Sequence, residues 1–356
     1  DMPRIVDSIR AAIRDTERSA GLKISGAYLG MAGDDISTRT SRSTVAISGT
    51  SKPIDENDVD RALIAAEQVD PPGAVTVLHR FVQSYAVDGE QVQNPLWLHG
   101  NRLELETLSI TASSHACTTL QHATEEAGVE IVGYILETVA ASSSVLTLDE
   151  REMGVGILDM GAGTTDLAIF NGPLRHVREI PFGGDDITKD LSVVLNMSPR
   201  EAEQLKRQYG SVCYREDEDD ETISFRTTTG KVHTLTMHQL SEIIEARQHE
   251  IFEFVKAEIQ ELPPSEMLAA GFIFTGGGAL LGNVAELGEE VLGLPVRIGS
   301  PQKIIAAESM QDPSYATATG LLRFAADERA REGHLLSPRP AGSRIMEKLT
   351  KLFSFL

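Results

Sequence analysis

The chain has 356 residues, which at about 150 residues per domain argues for two domains or a bilobed molecule with a sizeable core. Its 41% hydrophobic and 24% charged residues exclude disordered and collagen-like classes, and a net charge of −21 repels phosphate backbones, so nucleic-acid binding is not expected. Two distant cysteines, Cys117 and Cys213, give no disulfide framework and fit a reducing compartment; no run reaches the roughly 20 apolar residues of a membrane-spanning helix, and the N-terminus shows no apolar signal core.

Ile5, Ile9 and Ile13 recur at helical spacing and predict a helix over residues 3 to 20, stopped by Gly21. Between Ile24 and Ser48 the pattern turns to strands, and the Ser/Thr-rich stretch Ser37 to Thr44 reads as a solvated hairpin. Pro53, Asp55 and Glu56 open a helix that continues through Val69 to the breaker Pro71-Pro72-Gly73. Strands from Val75 to Val87 and from Leu103 to Ala112 follow, so that residues 22–100 form a small strand, helix and strand module. A helix from His115 to Ala127, a strand from Val129 to Leu136 and a helix from Ala140 to Leu148 complete the first half.

The second half restarts with two apolar strands around a glycine turn, Val155 to Asp159 and Asp166 to Phe170, and Asn171-Gly172 then signals a hairpin into a third strand. Helices are expected at about 186 to 196 and 199 to 208, with a longer one from Leu240 to Glu261. The acidic run Arg215 to Glu221 between them reads as a solvated hairpin or loop tip. A buried strand at Gly271 to Phe274, a helix at Val284 to Val291 and a late helix at Pro313 to Phe324 precede a linker, residues 326–342, and a separate terminal segment, 343–356.

The sharpest motif is Leu158-Asp159-Met160-Gly161-Ala162-Gly163-Thr164-Thr165-Asp166, a strand ending in a carboxylate followed by a glycine turn with hydroxyls. Gly161 and Gly163 let the backbone approach an anion with its N–H groups. Thr164 and Thr165 add hydroxyl donors, and Asp159 can hold Mg²⁺ through oxygen or a bridging water. A second cluster, Gly276, Gly277 and Gly278, follows the buried strand and precedes a helix whose N-terminus offers positive dipole. A helix carrying Glu203 and Lys206 lies between the two, giving one face for phosphates and another for ribose and adenine.

On these residues the chain resembles the actin-like, Hsp70 and sugar kinase superfamily, and within it most closely the FtsA family of bacterial cell-division proteins. Glu137-Thr138-Val139-Ala140-Ala141 looks like the connecting helix, Ala202-Glu203 with Lys206 like the ribose-contacting helix, Ile244-Glu245-Ala246-Arg247 like the helix of the partner pocket, and residues 22–100 like the family's small inserted subdomain. The resemblance implies an α/β actin-like (ribonuclease H-like) bilobed fold, with residues 1–21 and 101–152 in the first lobe, 153–325 in the second and 188–265 inserted within that. It also implies an ATP- and Mg²⁺-binding scaffold that self-assembles and tethers filaments of FtsZ to the cytoplasmic face of the inner membrane at the division septum. Arg247 would then meet acidic residues of the FtsZ C-terminal peptide. The bland reading of Arg247 is a surface ion pair with Glu250 or Glu253. Any ATPase activity is expected to be slow, with Glu137 orienting water.

Ile345, Met346, Leu349, Leu352, Phe353 and Leu356 form one helical stripe in the terminal segment, with Arg344, Lys348 and Lys351 elsewhere around it. That pattern reads as an amphipathic helix lying in a membrane interface. Actin-like folds resemble one another in opening with a strand and a first phosphate turn, whereas this sequence begins at the helix after them. That implies an N-terminally truncated chain with the first strands of lobe one missing, or a variant that kept only the scaffold role. A pilus-assembly relative and a sugar or acetate kinase are the competing readings; neither needs a lipid-seeking tail.

Overall fold

A computed structural model describes residues 2–33, 35–47, 52–69, 73–213, 222–263, 266–302 and 308–335. They form two compact units, the first holding the chain through Val139, Pro173–Arg175 and the part from Leu321, the second Ala140–Gly172 and His176–Gly320.

The first unit opens with α1 (Met2–Ala20) and continues through β1 (Gly26–Met31), β2 (Ile36–Ala46), α2 (Glu56–Glu67), β3 (Val75–Val87), β4 (Glu90–Val92), β5 (Arg102–Ser113), α3 (Ser114–Ala127), β6 (Glu130–Leu136) and the start of α4 (Glu137–Val145). The four strands β2, β5, β3 and β4 make one sheet in that order, and α2 packs on it over Ile54, Val59, Ala62, Tyr85, Leu103 and Leu105. Asp55 caps α2 reciprocally with Asp58, which satisfies two otherwise open backbone donors.

Two expectations change here. The Ser/Thr-rich stretch is no hairpin; it is one strand, β2, paired antiparallel with β5 along its whole length. Its composition has a physical use, since Ser37 meets the Thr111 hydroxyl at 2.8 Å and Ser41 meets Thr107 at 3.1 Å, cross-strand bonds that fix register. The small module also moves from 22–100: β1 pairs in parallel with β6, outside the four-stranded sheet, and β5 lies inside it, so the sheet runs from Ile36 to Ser113.

The second unit contains α5 (Leu148–Met153), β7 (Val155–Met160), β8 (Thr165–Phe170), β9 (Leu174–Ile180), α6 (Gly184–Val194), α7 (Pro199–Tyr209), β10 (Thr222–Arg226), β11 (Val232–Thr236), α8 (Met237–Gln260), β12 (Phe272–Thr275), α9 (Val284–Leu292), β13 (Val296–Ile298) and the start of α10 (Ala316–Leu335), whose residues from Leu321 belong to the first unit. Its sheet has the order β13-β12-β7-β8-β9, with β7 parallel to β12 and antiparallel to β8. Leu158, Leu167, Phe252, Phe272 and Phe274 sit fully buried in its core. The expected helix at Ala140 to Leu148 is two helices, α4 and α5, divided at Thr147, which caps α5. The late helix runs on to Leu335, eleven residues past the expected end at Phe324, so the front of the stretch read as a linker is helical. The acidic run 215–221, residues 336–342 and the terminal stripe Ile345, Met346, Leu349, Leu352, Phe353 and Leu356 lie outside the described residues.

Candidate functional site

Strand register builds the site. Asp159 of β7 pairs beside Thr275 of β12 in the parallel ladder, so the two glycine turns leave the same carboxyl edge of the sheet as neighbours, where open α/β sheets bind ligands. Both turns open on one cavity of about 820 Å³, with Gly161 and Gly277 in its wall, a size suited to a small-molecule ligand.

The first turn is held from one side by α6. Gly184 N–H donates to the Gly161 carbonyl at 3.0 Å and Asp185 N–H to the Ala162 carbonyl at 2.8 Å. In a trans peptide the N–H points opposite to the C=O, so the N–H groups of Ala162 and Gly163 face away from α6, a pair of adjacent donors of the kind that makes an anion nest. Gly183 is forced to be glycine by the same embrace: a Cβ there would lie 2.5 Å from the Ala162 carbonyl.

The second turn packs on the end of β7. Gly276 has φ 81° and ψ 178°, and a Cβ on it would stand 2.5 Å from Asp159 Oδ1. Gly277 differs. Its φ is not positive, nothing beyond its neighbours along the chain lies within 4 Å of where its Cβ would be, and yet it lines the cavity. Its own chain gives no reason for glycine there, whereas close approach of a ligand does. The turn forms a 3₁₀ helix, Gly277–Leu280, and α9 then begins at Val284, as expected.

Asp159 accepts the Thr317 hydroxyl at 2.6 Å. Burial raises its carboxyl above the usual value, partly offset by that bond, and a carboxylate whose charge is disfavoured by burial is one that a cation stabilises. Among the described residues no three His, Cys, Asp or Glu side chains group to hold a metal. Asp159 with ligand oxygens and water matches the few protein ligands that Mg²⁺ takes.

The threonines serve the chain itself: Thr164 donates to Asp166 at 3.1 Å and Thr165 to the Phe182 carbonyl at 3.0 Å, so the donors expected to reach phosphate are committed to fixing the turn. Lys206 is likewise engaged, donating to the Gly184 carbonyl at 2.7 Å and the Thr188 hydroxyl at 2.8 Å and pairing with Glu203 at 2.7 Å. Burial raises the Glu203 carboxyl, but hydrogen bonds from Lys206 and Thr188 outweigh it and hold the group below its usual range. Both side chains line the cavity, and the bonds from Lys206 and Thr188 fall on Oε2 of Glu203.

Arg247 is bound by its own chain. Its Nε and Nη2 grip Asp190 at 2.7 and 3.2 Å, and Nη1 pairs with Glu250; Glu250 was one of the two ion-pair partners expected, and Asp190, an α6 residue 57 positions away, was missed. The guanidinium is not presented as a free cation for an acidic peptide. Glu137 opens α4 in the first unit, against Gly30 of β1. Gln248, Gly183, Gly184 and Asp312 also line the cavity. Asp312 had a legible signal, a side chain capping the turn before α10 by accepting Ser314 N–H at 2.9 Å; Gln248 had none, since a glutamine in a helix reads as solvated.

Residues 156–320 match the family described as "Cell division protein FtsA", and residues 33–111 match "SHS2 domain inserted in FTSA". The FtsA cell-division protein of Bacillus subtilis is 35% identical over 350 residues, covering 98% of this chain and 78% of its relative. Among solved structures, the PilM–PilN type IV pilus biogenesis complex is similar at TM-score 0.59 and 18% identity, covering 89% of this chain and 84% of that one. MreB5 of Spiroplasma citri bound to ADP is similar at TM-score 0.54 and 22% identity, covering 62% and 68%. These likenesses show an actin-like α/β fold with an inserted domain. The chain belongs to the FtsA family of cell-division proteins.

Proposed function

We propose that this chain binds ATP with Mg²⁺ in the cavity of its second unit, self-assembles under control of that nucleotide, and anchors FtsZ filaments to the inner membrane through its terminal segment. The observation that carries the nucleotide reading is the pairing of Asp159 with Thr275 at one sheet edge, which sets both glycine turns beside one cavity lined by Gly161, Ala162, Gly277 and Gly278, with the Asp159 carboxylate against Gly276. The Ala162 and Gly163 N–H groups bind phosphate, Asp159 supports Mg²⁺, and Glu203 meets the ribose. The bound magnesium would neutralise phosphate charge; the protein's part is to hold and orient the nucleotide, and turnover is slow. The family's FtsZ C-terminal peptide docks on the region around α8, and the ADP bound to the similar MreB5 supports the nucleotide class.

Calorimetry with Mg-ATP tests the reading. Asp159→Ala is expected to weaken binding about 10- to 100-fold, the span of a hydrogen bond or contact to a charged group. Equal affinity in the wild type and the variant refutes the assignment of Asp159, and a wild type that takes up no ATP refutes the nucleotide reading itself.

A further inference from the structure

Gln248 stands on α8 with 1% of its surface exposed and lines the nucleotide cavity. Its Nε2 finds no hydrogen-bond acceptor among the described residues, a condition that folded proteins seldom leave standing. Ile251, three positions on and therefore on the same face of α8, lines the cavity with it, as does Ile187 of α6, and both isoleucines are buried. The donor is thus a single directional group set in apolar wall, while the features suited to phosphate belong to the two glycine turns.

A triphosphate set against the two isoleucines would lose hydration for an apolar surface, while the cavity's cations, Lys206 and Arg207, stand on another element, α7. A heterocyclic base fits: its faces are apolar and its ring nitrogens accept. We infer that Gln248 Nε2 donates to a ring nitrogen of the base of the nucleotide held in this cavity, making it a residue that selects the base rather than the phosphates. The inference rests on reading the cavity as an ATP site, and deepens it.

The test compares Mg-ATP with Mg-ribose 5′-triphosphate, which lacks the base, by calorimetry on the intact chain. Gln248→Met keeps the length and removes the donor; it is expected to weaken ATP about three- to tenfold, the worth of one hydrogen bond, and to leave ribose 5′-triphosphate unchanged. Gln248→Glu turns an acceptor towards an acceptor and is expected to weaken ATP further. The nucleotide-free melting temperature of Gln248→Met should hold or rise, since an unsatisfied buried donor has been removed; a fall would mark the side chain as structural and overturn the assignment. Equal ATP affinity in wild type and Gln248→Met overturns it too, as does an equal loss for both ligands. A wild type that binds neither ligand overturns the nucleotide reading and this inference with it, so the two failures are told apart.

Discussion

Gly276 and Gly277 are adjacent, and their requirements are opposite. At φ 81°, ψ 178° Gly276 occupies a region that side chains do not tolerate, and a Cβ would press Asp159 Oδ1 at 2.5 Å and the Met160 carbonyl at 2.7 Å. Gly276→Ala is expected to cost about 2–4 kcal/mol of unfolding free energy from strain and collision together, measured by urea denaturation without nucleotide. Gly277 meets nothing within 4 Å, so Gly277→Ala should stay within about 0.5 kcal/mol of the wild type while binding Mg-ATP more weakly. If both variants lost stability alike, the open space at Gly277 would not be ligand space. The two carboxylates follow a similar division: Glu203 is held in its charged form by Lys206 and Thr188, whereas Asp159 has one hydroxyl and a burial penalty, so Asp159 gains more from a cation.

At the scale of elements, β3 and β6 are joined by a titratable link. His79 of β3 accepts the Leu136 N–H at its Nε2, 2.9 Å away, which requires the neutral ring with its hydrogen on Nδ1; protonation would set two donors against each other. Burial lowers its pKa from 6.5 to about 4. A lowered histidine pKa gives stability that is complete above the unfolded value of 6.5 and is lost as pH falls through 6.5 towards 4. The wild type should lose about 2–3 kcal/mol more than His79→Gln over that window, by denaturant midpoints at matched pH; parallel profiles would refute the link. The same elements show what sequence periodicity can reach. β3 was legible to the residue because thirteen residues alternate between clean breakers, whereas β4, β10, β11 and β13 are too short to carry a period. The edge of the small module was misplaced because β1 chooses its partner, β6, through long-range parallel pairing, which nothing local in β1 announces. The glycine turns were legible as local chemistry, and Asp312 was legible only as a cap; that Gln248 and Asp312 share a cavity was not, because they join it only when α8 and the residues before α10 converge on it.

For the whole molecule, the net charge of −21 bears on the membrane proposal. An acidic body is repelled by an anionic leaflet, and at 0.15 M salt that repulsion reaches only about 8 Å, so a short tether beyond it suffices. Ile345, Met346, Leu349, Leu352, Phe353 and Leu356 fall on one helical stripe by their spacing in sequence, and Arg344, Lys348 and Lys351 lie off it. Each cation contributes about 1 kcal/mol near such a leaflet, and fourteen residues are marginal as a helix in water, so on the membrane proposal a lipid surface would supply most of the order. Leu349→Asp replaces an apolar residue of that sequence stripe by a charge, which on the membrane proposal removes at least about 2 kcal/mol of insertion free energy and should cut co-sedimentation with anionic vesicles more than tenfold. One such anchor binds reversibly, and assembly multiplies it by raising effective concentration. Mg-ATP should therefore steepen the rise of bound wild-type protein with concentration and leave Leu349→Asp flat, because avidity has nothing to multiply once the proposed anchor is lost; undiminished sedimentation of that variant would place the lipid contact elsewhere in the chain.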